Sequence, residues 1–250
     1  YSEAIVNVED LRRDGEKGFF DSDQIIQAIN PKNFYHSPMT KLVSLENTTN
    51  KGGGYCWDIS EFEKIQKVCM ENELGLHMDG ARIWNSIIAM NNDPKIYGNF
   101  FDTISVCLSK GLGCPIGSVL VGKGKVMEKA IRVRKILGGG MRQVGYLAAA
   151  GLYALQNNIN RLSDDHRRAK EIAKKFSSKD IVNKINSVET NIIIIELNKS
   201  VNKQQIINHF TNHNVIFDWY SMGVQKIRIV THLDYSEKDH EVLMEIVDKL

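Results

Sequence analysis

Residues 102–122 read DTISVCLSKGLGCPIGSVLVG, and this stretch indicates the fold class of the chain. The run Thr103–Leu108 has the length and the β-branched content of a buried strand. A polar, glycine-rich turn follows at Ser109–Gly113, and Ser118–Val121 then predicts a strand that runs back. Lys110 therefore stands where a buried strand ends.

Two earlier strands show the same order of apolar run and polar turn. Lys41–Leu45 predicts a strand that leads into Glu46-Asn47-Thr48, and Leu74–Met78 predicts one that leads into Asp79–Arg82. In open α/β sheets, ligands bind at the edge formed by the carboxyl ends of the strands. We therefore expect the functional residues in these three turns.

The remaining pattern alternates between helix and strand. Ser60 with Glu63 forms a capping box that predicts a helix ending near Asn72. Further helices are predicted over Lys125–Ile136, Gly145–Asn157 and Arg161–Phe176. After Ser177 the chain predicts a strand at Asn191–Leu197, a helix at Lys203–Thr211, a strand at Lys226–Val230 and a helix at Ser236–Leu250.

This order predicts an α/β protein with two domains. We expect residues 1–160 to form a large domain with a mostly parallel sheet flanked by helices. We expect residues 161–250 to form a smaller α+β C-terminal domain.

Composition limits the functional classes. The 250 residues are 42% hydrophobic and 25% charged, which argues against a disordered or membrane-spanning chain. A net charge of +2 argues against a nucleic-acid or anionic-membrane binder. No signal peptide is visible, and four cysteines without a CxxC spacing indicate reduced thiols, so we expect a cytoplasmic protein.

Gly111–Gly117 superficially resembles a dinucleotide-binding turn, but its details differ. The last glycine spacing is one residue too long, and Pro115 interrupts any helix start. About 20 residues further on, Arg132-Val133-Arg134 stands where a ribose-binding acid is expected. The sequence therefore argues against nicotinamide binding.

Asp79 and Lys110 fit a different cofactor. A lysine at the end of a strand is often only a solvated surface residue, and Asp79 before Gly80 could be a turn residue. Together, however, an amine and a carboxylate at neighbouring strand ends suit pyridoxal phosphate. The amine forms a Schiff base with the cofactor aldehyde, and the carboxylate keeps the pyridine nitrogen protonated.

Longer strings then make the resemblance specific. The chain resembles the low-specificity L-threonine aldolases, which are fold-type-I pyridoxal-phosphate enzymes of the β-eliminating lyase group. The strings that carry the resemblance span nearly the whole chain in order: HSPMTKLVSLENTTN, HMDGARIWN, SVCLSKGLGCPIGSVLVG, RKILGGGMRQVGYLAAAGLYAL and RIVTHLD.

The resemblance implies a role for each matching residue. Lys110 matches the Schiff-base lysine and Asp79 the partner of the pyridine nitrogen. Arg82 and Arg228 match arginines near the substrate carboxylate, and the resemblance also assigns Arg82 to cofactor binding. Arg228 stands in an apolar strand where an unpaired guanidinium is costly. Arg142 matches an arginine that reaches a cofactor phosphate bound mainly by a neighbouring subunit, although its surroundings are basic anyway.

His36 matches a histidine close to the substrate hydroxyl. It precedes Ser37-Pro38 in a predicted loop, so a solvent-exposed histidine is the competing interpretation. His209 and His213 have a spacing that suits a metal, but they lack the other ligands of a zinc site. We therefore predict no metal.

The implied activity is cleavage of L-threonine or L-allo-threonine to glycine and acetaldehyde, with pyridoxal 5'-phosphate as cofactor. The alternatives are a β-eliminating amino-acid lyase, an aldolase for aromatic β-hydroxy amino acids, or an inactive scaffold. The resemblance also implies a homodimer or homotetramer with shared active sites. Family members carry a phosphate-binding Gly-Thr turn and a ring-stacking histidine in an N-terminal segment, and we expect this sequence to lack that segment.

Overall fold

The structure is a computed structural model that describes residues 4–5 and 17–250. Its main feature is a five-stranded sheet whose spatial order follows the chain. The strands are β1 (Ala4–Ile5), β2 (Thr40–Glu46), β3 (Gly75–Gly80), β4 (Thr103–Cys107) and β5 (Ser118–Gly122). Strands β1 to β4 are parallel, and β5 is antiparallel to β4.

The register of the sheet aligns the strand ends that the sequence singles out. Glu46 on β2 pairs with Asp79 on β3, and Asp79 pairs with Ser105 on β4. Parallel strands end at the same edge, so the turns after β2, β3 and β4 are neighbours. The mostly parallel sheet predicted from the sequence is confirmed.

Helices connect and cover these strands. They are α1 (Ser22–Ala28), α2 (Ile59–Glu71), α3 (Ile83–Met90), α4 (Pro94–Phe100), α5 (Gly124–Ile136) and α6 (Gly145–Asn157). Beneath the sheet, the side chains of Trp57, Phe62, Ile65, Met78 and Tyr97 are almost completely buried in one apolar cluster. This core holds the strand ends in place.

The capping box predicted at Ser60 is wrong. The helix α2 begins one residue before Ser60, and its N-cap is Asp58. The Asp58 carboxylate accepts a hydrogen bond from the backbone nitrogen of Ser60 at 2.9 Å. Ser60 therefore lies inside the first turn, where its backbone N–H is the group being capped.

The second part of the chain forms an antiparallel sheet with its own core. Its elements are α7 (Leu162–Phe176), β6 (Val182–Ile185), β7 (Ile192–Leu197), α8 (Lys203–Asn212), β8 (Lys226–Val230) and α9 (Glu237–Asp248). Ile193, Ile195 and Ile227 are fully buried against Phe176 and Phe210. This separate cluster supports the domain division at residues 160 and 161, which stays a prediction; residues 1–3 and 6–16 of the first range lie outside the described part.

The edge strand β5 and the C-terminal end of α5 expose many apolar side chains. Val119, Leu120 and Val121 on β5 are each more than 40% exposed, and Ile136 and Leu137 are 76% and 78% exposed. We call these five residues the β5–α5 face. Across the described ranges, no helix is long and apolar enough to cross a membrane.

Candidate active site

Lys110 lies in a tight turn just after β4. The backbone nitrogen of Gly113 donates to the carbonyl oxygen of Lys110 at 2.9 Å, and Gly113 has a φ of +75°, which favours glycine. A Cβ at Gly113 would lie 2.5 Å from a methyl group of Leu233, and one at Gly111 would lie 2.7 Å from a methyl group of Leu162. The two glycines let this turn pack closely against its neighbours.

The Lys110 side chain is exposed and lines a cavity of about 340 Å³. Arg82, Ser109, Asn191 and His232 line the same cavity. Within the described part of the chain, the Lys110 amine has no hydrogen bond and no ion pair. The amine is therefore free for covalent chemistry.

Asp79 is the last residue but one of β3, and its side chain is exposed. It lines a second cavity of about 370 Å³, together with Glu46, Asn50 and Lys51. Its carboxylate has no hydrogen-bond or ion-pair partner among the described residues. Asp79 and Lys110 thus lie at one sheet edge but line different cavities.

The charge of Asp79 acts on its neighbours. It raises the pKa of His77, but burial has the larger, opposite effect, so the pKa of His77 lies below its usual value. The Nδ1 atom of His77 lies 2.8 Å from the hydroxyl of Thr103 on β4. His77 therefore joins β3 to β4 below the site.

Arg82 and Arg228 come together, although they lie in different parts of the chain. Arg82 Nη1 donates to Asn50 Oδ1 at 3.0 Å, and Arg228 Nη2 donates to the same oxygen at 2.6 Å. Arg228 Nη1 also lies 3.8 Å from an Asp218 oxygen, while its Nε is buried without a partner. The side chains of Arg82, Asn50 and Arg228 thus form one junction between the small and large sheets.

Burial lowers the pKa of both guanidinium groups. For Arg82 the positive charge of Arg228 lowers it further, while Glu46 and Asp79 raise it. For Arg228 the carboxylates of Asp218 and Glu46 oppose the effect of burial. Two positive charges that repel each other in a partly dry site favour an anion between them.

Asn50 was missed in the sequence. It lies in the loop four residues after the end of β2, where an asparagine is an ordinary turn residue. Its partner Arg228 is 178 residues further along the chain, and no local spacing reveals such a contact.

Cys107 was missed as well. Burial alone would raise its pKa, but hydrogen bonds to Ser109 and Ser118 and the charge of Lys110 bring it below its usual value. Its sulfur lies 3.5 Å from the hydroxyl of Ser109. The thiol thus lies at the same strand end as Lys110.

His36 lies in an exposed turn before β2. Its ring packs against Tyr35 at a centroid distance of 4.0 Å and against Phe34 at 5.5 Å. No hydrogen bond or ion pair joins it to Lys110 or Asp79 in the described ranges. Its assignment near the substrate hydroxyl stays a prediction.

Arg142 lies in the turn between α5 and α6, and its side chain is exposed. The next residue, Gln143, has a φ of +52°. The described residues offer the Arg142 guanidinium no hydrogen bond or ion pair, so its phosphate-binding role also stays a prediction.

A mostly parallel sheet and a separate antiparallel sheet, with a free lysine and aspartate at the carboxyl edge of the parallel one, match the fold-type-I architecture of pyridoxal-phosphate enzymes. Residues 4–200 match the family described as Beta-eliminating lyase. The chain belongs to this family.

Individual relatives narrow the comparison. The chain is 37% identical over 228 residues to low-specificity L-threonine aldolase 1 of Arabidopsis thaliana. This alignment covers 90% of this chain and 63% of that protein. It is 37% identical over 218 residues to the low specificity L-threonine aldolase of Escherichia coli, covering 86% and 62%. The resemblance to these aldolases is confirmed, and the chain spans less than two thirds of the length of either relative.

A solved structure shows the same fold. The threonine aldolase of Leishmania major superposes with a TM-score of 0.76 at 19% sequence identity. The match covers 94% of this chain and 68% of that structure. The predicted fold-type-I architecture is confirmed.

Proposed function

We propose that this chain catalyses the aldol cleavage of β-hydroxy-α-amino acids, releasing glycine and acetaldehyde from L-threonine or L-allo-threonine. One observation carries the proposal: two guanidinium groups converge on Asn50 at the sheet edge that also carries Lys110 and Asp79. An amino-acid substrate brings a carboxylate for the arginines. The L-threonine aldolases among the relatives support this choice of substrate.

The residues present fit the pyridoxal phosphate that the family and the fold imply. Lys110 has an unpaired amine to bind the cofactor aldehyde, and Asp79 has an unpaired carboxylate to pair with the protonated pyridine nitrogen. When bound, the cofactor supplies a conjugated ring that accepts electrons from the substrate Cα. We assign the phosphate to Arg142 of a neighbouring subunit.

Arg82 and Arg228 would bind the substrate carboxylate. A guanidinium holds a carboxylate through two parallel hydrogen bonds, so the pair fixes the position and the rotation of the substrate about Cα. This rotation decides which bond to Cα is aligned for cleavage, and we propose that the two arginines align the Cα–Cβ bond.

A proton must leave the β-hydroxyl as the Cα–Cβ bond breaks. We assign this proton to His36, because histidine exchanges protons near neutral pH. The aldehyde then departs, and Cα takes up a proton to give glycine. The exposed ring of His36 would have to approach the substrate from the turn before β2.

Product analysis tests the proposal against its alternatives. The chain loaded with pyridoxal phosphate is incubated with L-threonine, L-allo-threonine or L-phenylserine, and the aldehydes and ammonia are measured. We expect acetaldehyde and glycine in equal amounts. Ammonia with a keto acid would identify a β-eliminating lyase instead, benzaldehyde alone an aromatic aldolase, and no product a scaffold without activity.

We also propose that the functional unit is a homo-oligomer, a dimer or a tetramer. The β5–α5 face exposes Ile136 and Leu137 a few residues before Arg142, and a second copy covering it would remove a large apolar patch from water. Light scattering tests this: Ile136→Glu should reduce the mass of the particle. A monomeric parent with full activity would contradict the proposal.

For the compartment we propose the cytoplasm, as the sequence predicts. All four cysteines carry free thiols, and three of them are buried. Free thiols persist in reducing compartments. Fractionation of the source cells, with immunodetection of the chain, tests this assignment.

A further inference from the structure

The side-chain oxygen of Asn50 is the point at which the two arginines meet. It accepts one hydrogen bond from Arg82 and one from Arg228, at 3.0 Å and 2.6 Å. One guanidinium belongs to the N-cap of α3 and the other to β8 in the small sheet. A single neutral oxygen therefore sets the distance between two positive charges from separate parts of the fold.

Asn50 is itself held in place from β2. Its backbone nitrogen donates to Glu46 Oε2 at 2.8 Å, and the Glu46 carbonyl accepts from Trp57 Nε1 at 2.8 Å. Trp57 is almost completely buried. The amide oxygen is thus positioned by a chain of hydrogen bonds that reaches into the core.

The hydrogen bonds to Asn50 use only one N–H group of each guanidinium. A guanidinium has five N–H groups, and Arg228 Nε is buried with no partner. The amide carries no charge, so it orients both guanidiniums without neutralising them. A carboxylate at this position would form charge-assisted hydrogen bonds with both and offset their positive charge.

We propose that Asn50 is a positioning residue for the substrate carboxylate. It holds Arg82 and Arg228 at one point. Because Asn50 carries no charge, the positive charges of both guanidiniums remain available to attract the substrate carboxylate. This inference rests on the proposed function for the identity of the ligand, an α-amino acid carboxylate. The residue touches the arginines and acts through them.

Two substitutions separate positioning from simple structural support. Asn50→Asp keeps the shape and the acceptor oxygens but adds a negative charge. Asn50→Ala removes the acceptor and leaves the two guanidiniums to repel each other. Asn208→Asp on α8 is the matched control, because Asn208 is exposed and its side-chain oxygen also accepts a hydrogen bond, from Gln204.

The readouts are the Kd for glycine from the visible absorption of the cofactor-loaded chain, the cofactor content, and the melting temperature. For Asn50→Asp we expect a Kd raised about tenfold or more, with unchanged cofactor content and a melting temperature no lower than that of the parent. For Asn50→Ala we expect a raised Kd and a lower melting temperature. Asn208→Asp should match the parent in all three.

The outcomes distinguish this inference from the proposed function. A glycine Kd within twofold of the parent in Asn50→Asp would overturn the positioning role. Equal losses of melting temperature and cofactor in both Asn50 variants would overturn it too, because they indicate structural support. If the parent releases no aldehyde from threonine but Asn50→Asp still weakens glycine binding, the proposed reaction fails and the positioning role stands.

Discussion

Asn85 and His166 join helices α3 and α7 through a buried hydrogen bond, with Asn85 Nδ2 3.1 Å from His166 Nε2. An amide nitrogen only donates, so Nε2 of this histidine accepts and carries no proton. Burial, together with the smaller effect of the nearby charge of Lys170, lowers the pKa of His166 to about 4. The contact links the two parts of the chain only while the imidazole is neutral.

We therefore expect the protein to lose stability in mild acid. The unfolded chain binds a proton at His166 with a pKa near 6.5, and the native state binds it only near 4. Between these values the unfolded state holds more protons, so the free energy of unfolding falls as the pH falls, by up to about 3 kcal/mol. Urea unfolding at several pH values measures this loss, and His166→Gln should flatten the profile. An equally steep profile in the variant would assign the loss to other groups.

Lys110→Ala should abolish both turnover and the visible absorption of bound cofactor. The alanine has no amine to bind the cofactor aldehyde. Spectra and mass spectrometry after borohydride treatment check the covalent attachment. Lys238→Ala, at an exposed position on α9, is the control and should keep both properties. Cofactor still attached to Lys110→Ala would refute the assignment.

Asp79→Asn should reduce turnover far more than cofactor content. The amide has nearly the same shape but cannot stabilise a protonated pyridine nitrogen. The cofactor ring would therefore accept electrons less readily, while Lys110 would still bind the aldehyde. We expect kcat to fall by about two to four orders of magnitude. Steady-state kinetics and the absorption spectrum decide the matter, and near-normal kcat would show that Asp79 does not face the cofactor.

Arg228→Lys should impair catalysis although the positive charge is kept. A lysine is a point charge and cannot hold a carboxylate through two parallel hydrogen bonds. The substrate would bind less tightly and rotate more freely, so KM should rise and kcat should fall. Arg228→Ala should do the same more strongly and leave the visible absorption unchanged. Loss of the visible band would instead mean that Arg228 holds the cofactor.

The elements with strong periodicity could be predicted from the sequence alone. The bounds of α6 and β8 agree with the structure at both ends. The helix α3 was missed because its N-cap, Arg82, makes no side-chain cap hydrogen bond and its sequence IWNSIIAM is nearly continuously apolar. The helix α4 has a capping Asp93 and a proline at its first turn, but only seven residues to show a period.

The same distinction applies to the candidate site. Residues located by a local strand pattern could be predicted, whereas contacts between distant segments could not. Asp79 is the last residue but one of β3, and Lys110 follows the end of β4, so the strand pattern locates both at the sheet edge. The strand β6 and the contact of Asn50 with Arg228 depend on pairing between distant segments. The local helix and strand propensities of a segment do not indicate which distant segment it will pair with. Such contacts are seen only in the folded structure.

The helix α7 belongs to two apolar clusters at once. Leu162, at its first turn, is buried with Leu112 and Cys114 from the turn after β4, whereas Ile172 and Phe176 are buried in the cluster of the antiparallel sheet. Both clusters include side chains of α7, so neither is complete without this helix. If one cluster unfolds, α7 no longer supports the side chains of the other. We therefore expect heat to unfold both clusters in a single cooperative transition rather than in two steps.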